Sequence, residues 1–400
     1  MKKIILYLSV AIFSFFLLFF LINQFDETLN SNVELILKKN SLMSDEDNLK
    51  CSKLLAIGSP ADIDSDIEGR KLLDQLKATP SIENNYLNDI KIPNFKSNLK
   101  LVDPCKGICN FTNDETTELK TQLPNEKIYI DRLLEILKGN NFGCKGTNLH
   151  LKKPILAYFN ISKHYLMFLN LKWNENLNNI KIRDGIALEL EHFYYFNYQL
   201  LNNSSFSLIE GLIYEVLLNK TKNFIHDAAR TKHQKSIELL EKIKVLIQKL
   251  SFNTLVQNAV EGEVILASAL LSYPFSPYVL ELTNIAPTGD LDSDLNKKFP
   301  DNILSHILNL IYLPNQTLNE HFRIINEVVK LDCIKNHSTE ITEAKENNLN
   351  EINDTCSLNS RFWGNYFYNL PGKYMLDLVM TKQAPHWFQK LHKRFLKLQE

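Results

Sequence analysis

A run of nineteen uncharged residues, 4–22, rich in Leu, Ile and Phe, constrains this chain more than any other feature. As a helix it rises about 28 Å, close to the hydrocarbon thickness of a bilayer. Lys2 and Lys3 precede it and Asp26 and Glu27 follow it. The positive-inside rule then puts the N-terminus in the cytoplasm and residues 26–400 outside. A cleaved signal peptide would need a small-residue site, and Asn23-Gln24-Phe25 supplies none. No second run of this kind occurs, so the sequence predicts one N-terminal transmembrane helix over residues 1–25, with the membrane as its partner through residues 4–22.

The 400 residues carry 45 Lys+Arg and 46 Asp+Glu in all, a formal net charge of -1. Such balance leaves no basic face for phosphates and argues against nucleic-acid binding. At 44% hydrophobic residues the chain can bury a core. Only 12 Gly and 13 Pro are present, too few for an all-β protein of many tight turns. Apolar residues recur with a helical period, and no strand-like alternation is sustained. The expected fold is all-α: a multi-helix globular domain, 26–400, behind the anchor. Within it, 26–124 reads as a loop-rich wrapping segment and 125–400 as the helical body. Helices are expected over 129–137, 180–201 (placed centrally), from Ser207, over 237–250 and 255–271, after Thr317, and over 366–380 and 386–398. Ser207-x-x-Glu210 and Thr317-x-x-Glu320 both have capping-box spacing.

Six cysteines in an exported domain favour disulfides. Cys333 and Cys356 flank an Asn/Glu-rich stretch that a bridge would tether. Cys105 and Cys109 are expected to pair with each other, or one of them with Cys144. No zinc-type spacing occurs, and no metal or cofactor is expected.

Catalytic signatures are sparse. G-x-S-x-G, P-loop and G-x-G-x-x-G patterns are absent. Asp62, Asp64 and Asp66, and likewise Asp290, Asp292 and Asp294, alternate as in a calcium loop. The EF-hand Gly and Glu places hold Ile67 and Leu73, or Leu295 and Asp301, so helix caps or solvated loops explain them better. Glu189, Glu191 and His192 on one helix and Glu263 on another are the candidate catalytic set, since inward carboxylates from separate helices can build a site. The final helix alternates Lys390, Lys393, Arg394 and Lys397 with apolar residues, which suits docking on the body or a membrane surface.

Several phrases resemble a family of membrane-anchored bacterial proteins of unassigned activity. They are Leu54 to Ala61 followed by Glu68-Gly69-Arg70, the Cys105…Cys109 pair, Pro314-Asn315-Gln316-Thr317-Leu318-Asn319, and Pro371-Gly372-Lys373. The resemblance implies a place, not a mechanism: a single-pass protein of the bacterial inner membrane with a periplasmic C-terminal domain. Three functions are compatible with this: a binding or structural envelope component with a protein partner, a periplasmic hydrolase using the Glu/His set, or a lipid carrier. The last requires an apolar cavity between helices.

Overall fold

The computed structural model describes residues 26–41, 44–78, 90–93, 95, 107–109, 111–145, 153–271, 313–330 and 384–399. Eleven helices account for most of them, and no strand occurs among the described residues, so the fold is all-α. In chain order they are α1 Ser31–Ser41, α2 Asp45–Leu55, α3 Ser65–Ala78, α4 Asn113–Leu137, α5 Ile155–Glu175, α6 Ile180–Asn203, α7 Leu208–Arg230, α8 Gln234–Lys249, α9 Phe252–Leu271, α10 Pro314–Lys330 and α11 Ala384–Gln399. Residues 4–22 and the expected helix 366–380 lie outside the described residues. Among the described residues no helix is long and apolar enough to cross a membrane.

The chain divides into two compact units. Of the described residues, the first unit holds α1 up to Lys39, α9 from Val264 onward, and α10. Its core joins Val33, Val264, Ala267 and Leu318, with Leu37 and Phe322 packed against them. The segment before α1 is bonded to α10: Asp26 accepts the backbone N–H groups of Asn315 (2.8 Å) and Gln316 (3.0 Å). These are orphan donors of the first helical turn, and a carboxylate there also suits the helix dipole.

The second unit holds α2 to α8, α9 up to Glu263, and α11 from Phe388. Connections of two to four residues join α5, α6, α7, α8 and α9, and such short links favour antiparallel neighbours. α5 is buried along most of its circumference, from Ala157 to Trp173. Its centre is aromatic, with Phe142 edge-on to Tyr158 at 4.9 Å and to Phe196 at 5.6 Å, and Tyr158 donating a 2.9 Å hydrogen bond to Asn197. α11 docks by its apolar side: Phe388, Leu391, Phe395 and Leu398 are buried, and Arg394 reaches the buried Glu215 at 3.2 Å.

The link between α6 and α7 is held by α9. Phe206 N–H donates to the carbonyl of Asn258, Ser205 Oγ to Glu261 (2.9 Å) and Leu208 N–H to Glu263 (2.7 Å). A Cβ on Gly262 would come within 2.1 Å of the Phe206 backbone, which cannot swing aside as a side chain can. Gly262→Ala is therefore expected to destabilise the protein by about 2 kcal/mol. A urea midpoint equal to that of the unaltered protein would refute the close approach.

Candidate functional site

The longest helix among the described residues creates the site. α4 opens on a capping box, Thr112 with Glu115, and runs 25 residues through Pro124. Leu119 and Leu123 meet Met167 and Leu171 of α5, Lys120 pairs with Glu175, and Glu126 faces His164, so the two helices run antiparallel. Beside that seam α4 presents a second stripe: Lys120, Leu123, Lys127, Ile130, Leu134 and Leu137, at helical i, i+3, i+4 and i+7 spacings. Tyr165, Phe168 and Leu171 of α5 and Glu189, His192, Tyr195 and Phe196 of α6 complete a groove of about 1040 Å³. From Lys120 to Lys138 it follows about 27 Å of helix. The floor is aliphatic and aromatic, whereas Lys120, Lys127, Asp131, His192 and Tyr195 on the rim are exposed.

A covalent brace closes the Lys138 end. Gly139 and Asn140 line the groove, and the chain they begin is tied to α2 by the disulfide Cys51–Cys144. Lys145 Nζ lies 3.1 Å from Asp47 of α2. Gly143 has φ +68° and passes so close to Asp47 that a Cβ would be 2.4 Å from its carbonyl oxygen. Cys144 is thus bonded to Cys51, not to Cys105 or Cys109. Cys109 is itself disulfide-bonded. Cys105, Cys333 and Cys356 lie outside the described residues.

The four carboxylate and imidazole candidates are placed at three different spots. Glu189 and His192 line the groove. Glu189 accepts hydrogen bonds from the Tyr165 hydroxyl (3.1 Å) and from Lys172 (3.4 Å), and burial together with that carboxylate pushes the Tyr165 phenol well up. Glu191 pairs with Lys242 of α8 at 2.7 Å. Glu263 of α9 is half-buried beside the start of α7, where desolvation raises its pKa to about 7 against the hydrogen bond from Leu208 N–H.

One Ser–His–Asp set does assemble. His233 Nδ1 lies 2.8 Å from Ser236 Oγ, and its Nε2 lies 3.2 Å from Asp184 Oδ1. His233 and Ser236 open α8, and Ser236 is 1% exposed, so no substrate carbonyl can reach its oxygen. Burial, with Arg183 beside it, holds the imidazole below its ordinary range against the pull of Asp184. The set fastens a helix start. Asp64 acts similarly, accepting the N–H groups of Asp66 (2.9 Å) and Ile67 (3.2 Å) at the start of α3. The second acidic cluster, Asp290–Asp294, lies outside the described residues. Among the described residues no group of three or more His, Cys, Asp or Glu could hold a metal ion.

No protein-family model, no curated protein and no solved structure matches this chain, so its function rests on its own residues.

Proposed function

We propose that this chain is a single-span exported protein whose helical domain binds the apolar chain of a lipid-like ligand in the α4–α5–α6 groove. One observation carries the reading: a groove of about 1040 Å³ floored by Leu123, Ile130, Leu134, Leu137, Phe168 and Phe196. That volume sits at the upper end of small-molecule sites, roughly 300–1,000 Å³. Its length, about 27 Å, suits a long extended chain and exceeds what a compact metabolite would fill. The apolar run at residues 4–22 supports an anchor that would hold the groove beside a bilayer, the natural source of such ligands. The Cys51–Cys144 bond fits an oxidising, extracytoplasmic compartment.

The test uses the full chain in membranes and a long-chain alcohol carrying a photoreactive diazirine. After illumination, mass mapping is expected to place adducts on α4, α5 and α6, and excess unlabelled alcohol should remove them. Leu134→Arg puts a charge on the groove floor and is expected to lower labelling there at least about tenfold. Adducts spread evenly over the domain, undiminished by competitor, would end the proposal.

A further inference from the structure

We infer that the ligand of this groove is a long-chain carboxylate, its head group held by Lys127. The inference rests on the groove reading above and deepens it.

It follows from which rim charges are already spent. The groove is lined by three lysines, Lys120, Lys127 and Lys138, and by Asp131 and Glu189. Lys120 Nζ is 2.7 Å from Glu175, and Lys138 pairs with Glu135. Glu189 is occupied by the Tyr165 hydroxyl and Lys172. Lys127 differs: among the described residues no carboxylate stands within ion-pair reach of it. Asp131, one turn along the same helix, is out of reach and exposed to water, which screens its charge.

Lys127 also stands at the right place along the groove. It shares the lining stripe with Leu123 one turn before it and with Ile130 and Leu134 one and two turns after it. A carboxylate at Lys127 sends its chain along Ile130, Leu134 and Leu137, about 16 Å of helix to the level of Lys138. One unspent ammonium matches one negative charge, and a single continuous groove matches one chain. A free fatty acid has that composition.

Because Lys127 is exposed, its ion pair gives selectivity more than tight binding: about fivefold at most. The experiment labels the full chain in membranes with a diazirine fatty acid, the alcohol of identical chain length, and a single-chain phosphatidylglycerol. The acid is expected to label the groove up to about fivefold more than the alcohol. Lys127→Glu, at an exposed helix position, should abolish that preference by lowering acid labelling to the level of the alcohol or below it. Equal labelling by acid and alcohol, or a preference that survives Lys127→Glu, overturns the carboxylate assignment while the groove reading stands. Preference for the phospholipid over the acid, lost in Lys127→Glu, also overturns it, in favour of a phosphate head. Failure of acid, alcohol and phospholipid alike to label the groove overturns the groove reading itself.

Discussion

Replacing both Cys51 and Cys144 by serine is expected to cost the protein about 4 to 5 kcal/mol. The bond spans 93 residues, and closing a loop of that length removes entropy from the unfolded chain that the native state never had to lose. Cys51 is fully buried, so a serine hydroxyl there adds an unmet hydrogen-bonding group. The loss is a large share of the total, since a marginally stable domain has only about 5–15 kcal/mol in hand. Urea unfolding of the double variant against the oxidised protein measures it. A difference under about 1 kcal/mol would show that the bond joins segments already fixed by packing. The same variant should label more weakly in the groove, because the 139–145 chain that closes one end is no longer tied to α2.

The second large effect depends on pH. Glu263 is half-buried, with no cation beside it among the described residues, next to Glu210, whose own charge is met by Lys153 at 2.7 Å. Its pKa therefore lies at about 7, above the ordinary glutamate value of 4.5. Below pH 4.5 the carboxyl is protonated in both folded and unfolded states, and stability is unaffected. Between 4.5 and 7 the folded state still holds a proton that the unfolded state has released, so stability falls as pH rises. Above 7 the full penalty, about 3 kcal/mol, is in place. Glu263→Gln carries no charge at any of these pH values and can still accept the Leu208 N–H. It is expected to match the parent protein near pH 4.5 and to exceed it by about 3 kcal/mol at pH 8. A variant that is less stable at pH 8 would reverse the sign and refute the argument. Glu215 acts in the same direction: burial raises it to about 7 despite Arg394 and Asn219.

Local helix signals in the sequence succeeded where the cap was local. Ser207-x-x-Glu210 predicted the start of α7, and both halves of that capping box form. Thr317-x-x-Glu320 has the same spacing and misleads. α10 begins at Pro314, Thr317 Oγ1 bonds back to the Leu313 carbonyl, and the cap is Asp26, 289 residues away from Asn315. Proximity in space created that cap, and sequence spacing cannot show it.

The site was hidden because its main helix was read too short. Taking 26–124 as loop-rich and the helix as 129–137 left out residues 113–128, although the structure carries the helix back to Asn113. Pro124 lacks the N–H that would bond to Lys120, a loss the packed helix tolerates. Thr112-x-x-Glu115, the same capping-box signal trusted at α7, marked the true start. Without residues 113–128, Lys120, Leu123 and Lys127 do not fall on one face with Leu134, and no groove is visible. α5 escaped notice for a different reason: it is apolar on nearly all sides, so no amphipathic stripe marks it. Glu189 and His192 were chosen because they sit on a central helix, and they do line the groove. Glu191 lies between them in sequence, but one residue turns the helix by about 100°, which carries it across to Lys242.

The docking of α11 sets the order of events when the protein is made. Lys222 donates to the carbonyl of Leu398 across 176 residues, and Arg394 neutralises Glu215 across 179. The apolar surface that receives Phe388, Leu391 and Phe395 is synthesised long before those residues emerge. A nascent chain that ends short of them exposes that surface and leaves a buried acid without its partner. The second unit therefore completes only after residues 388–398 have been synthesised.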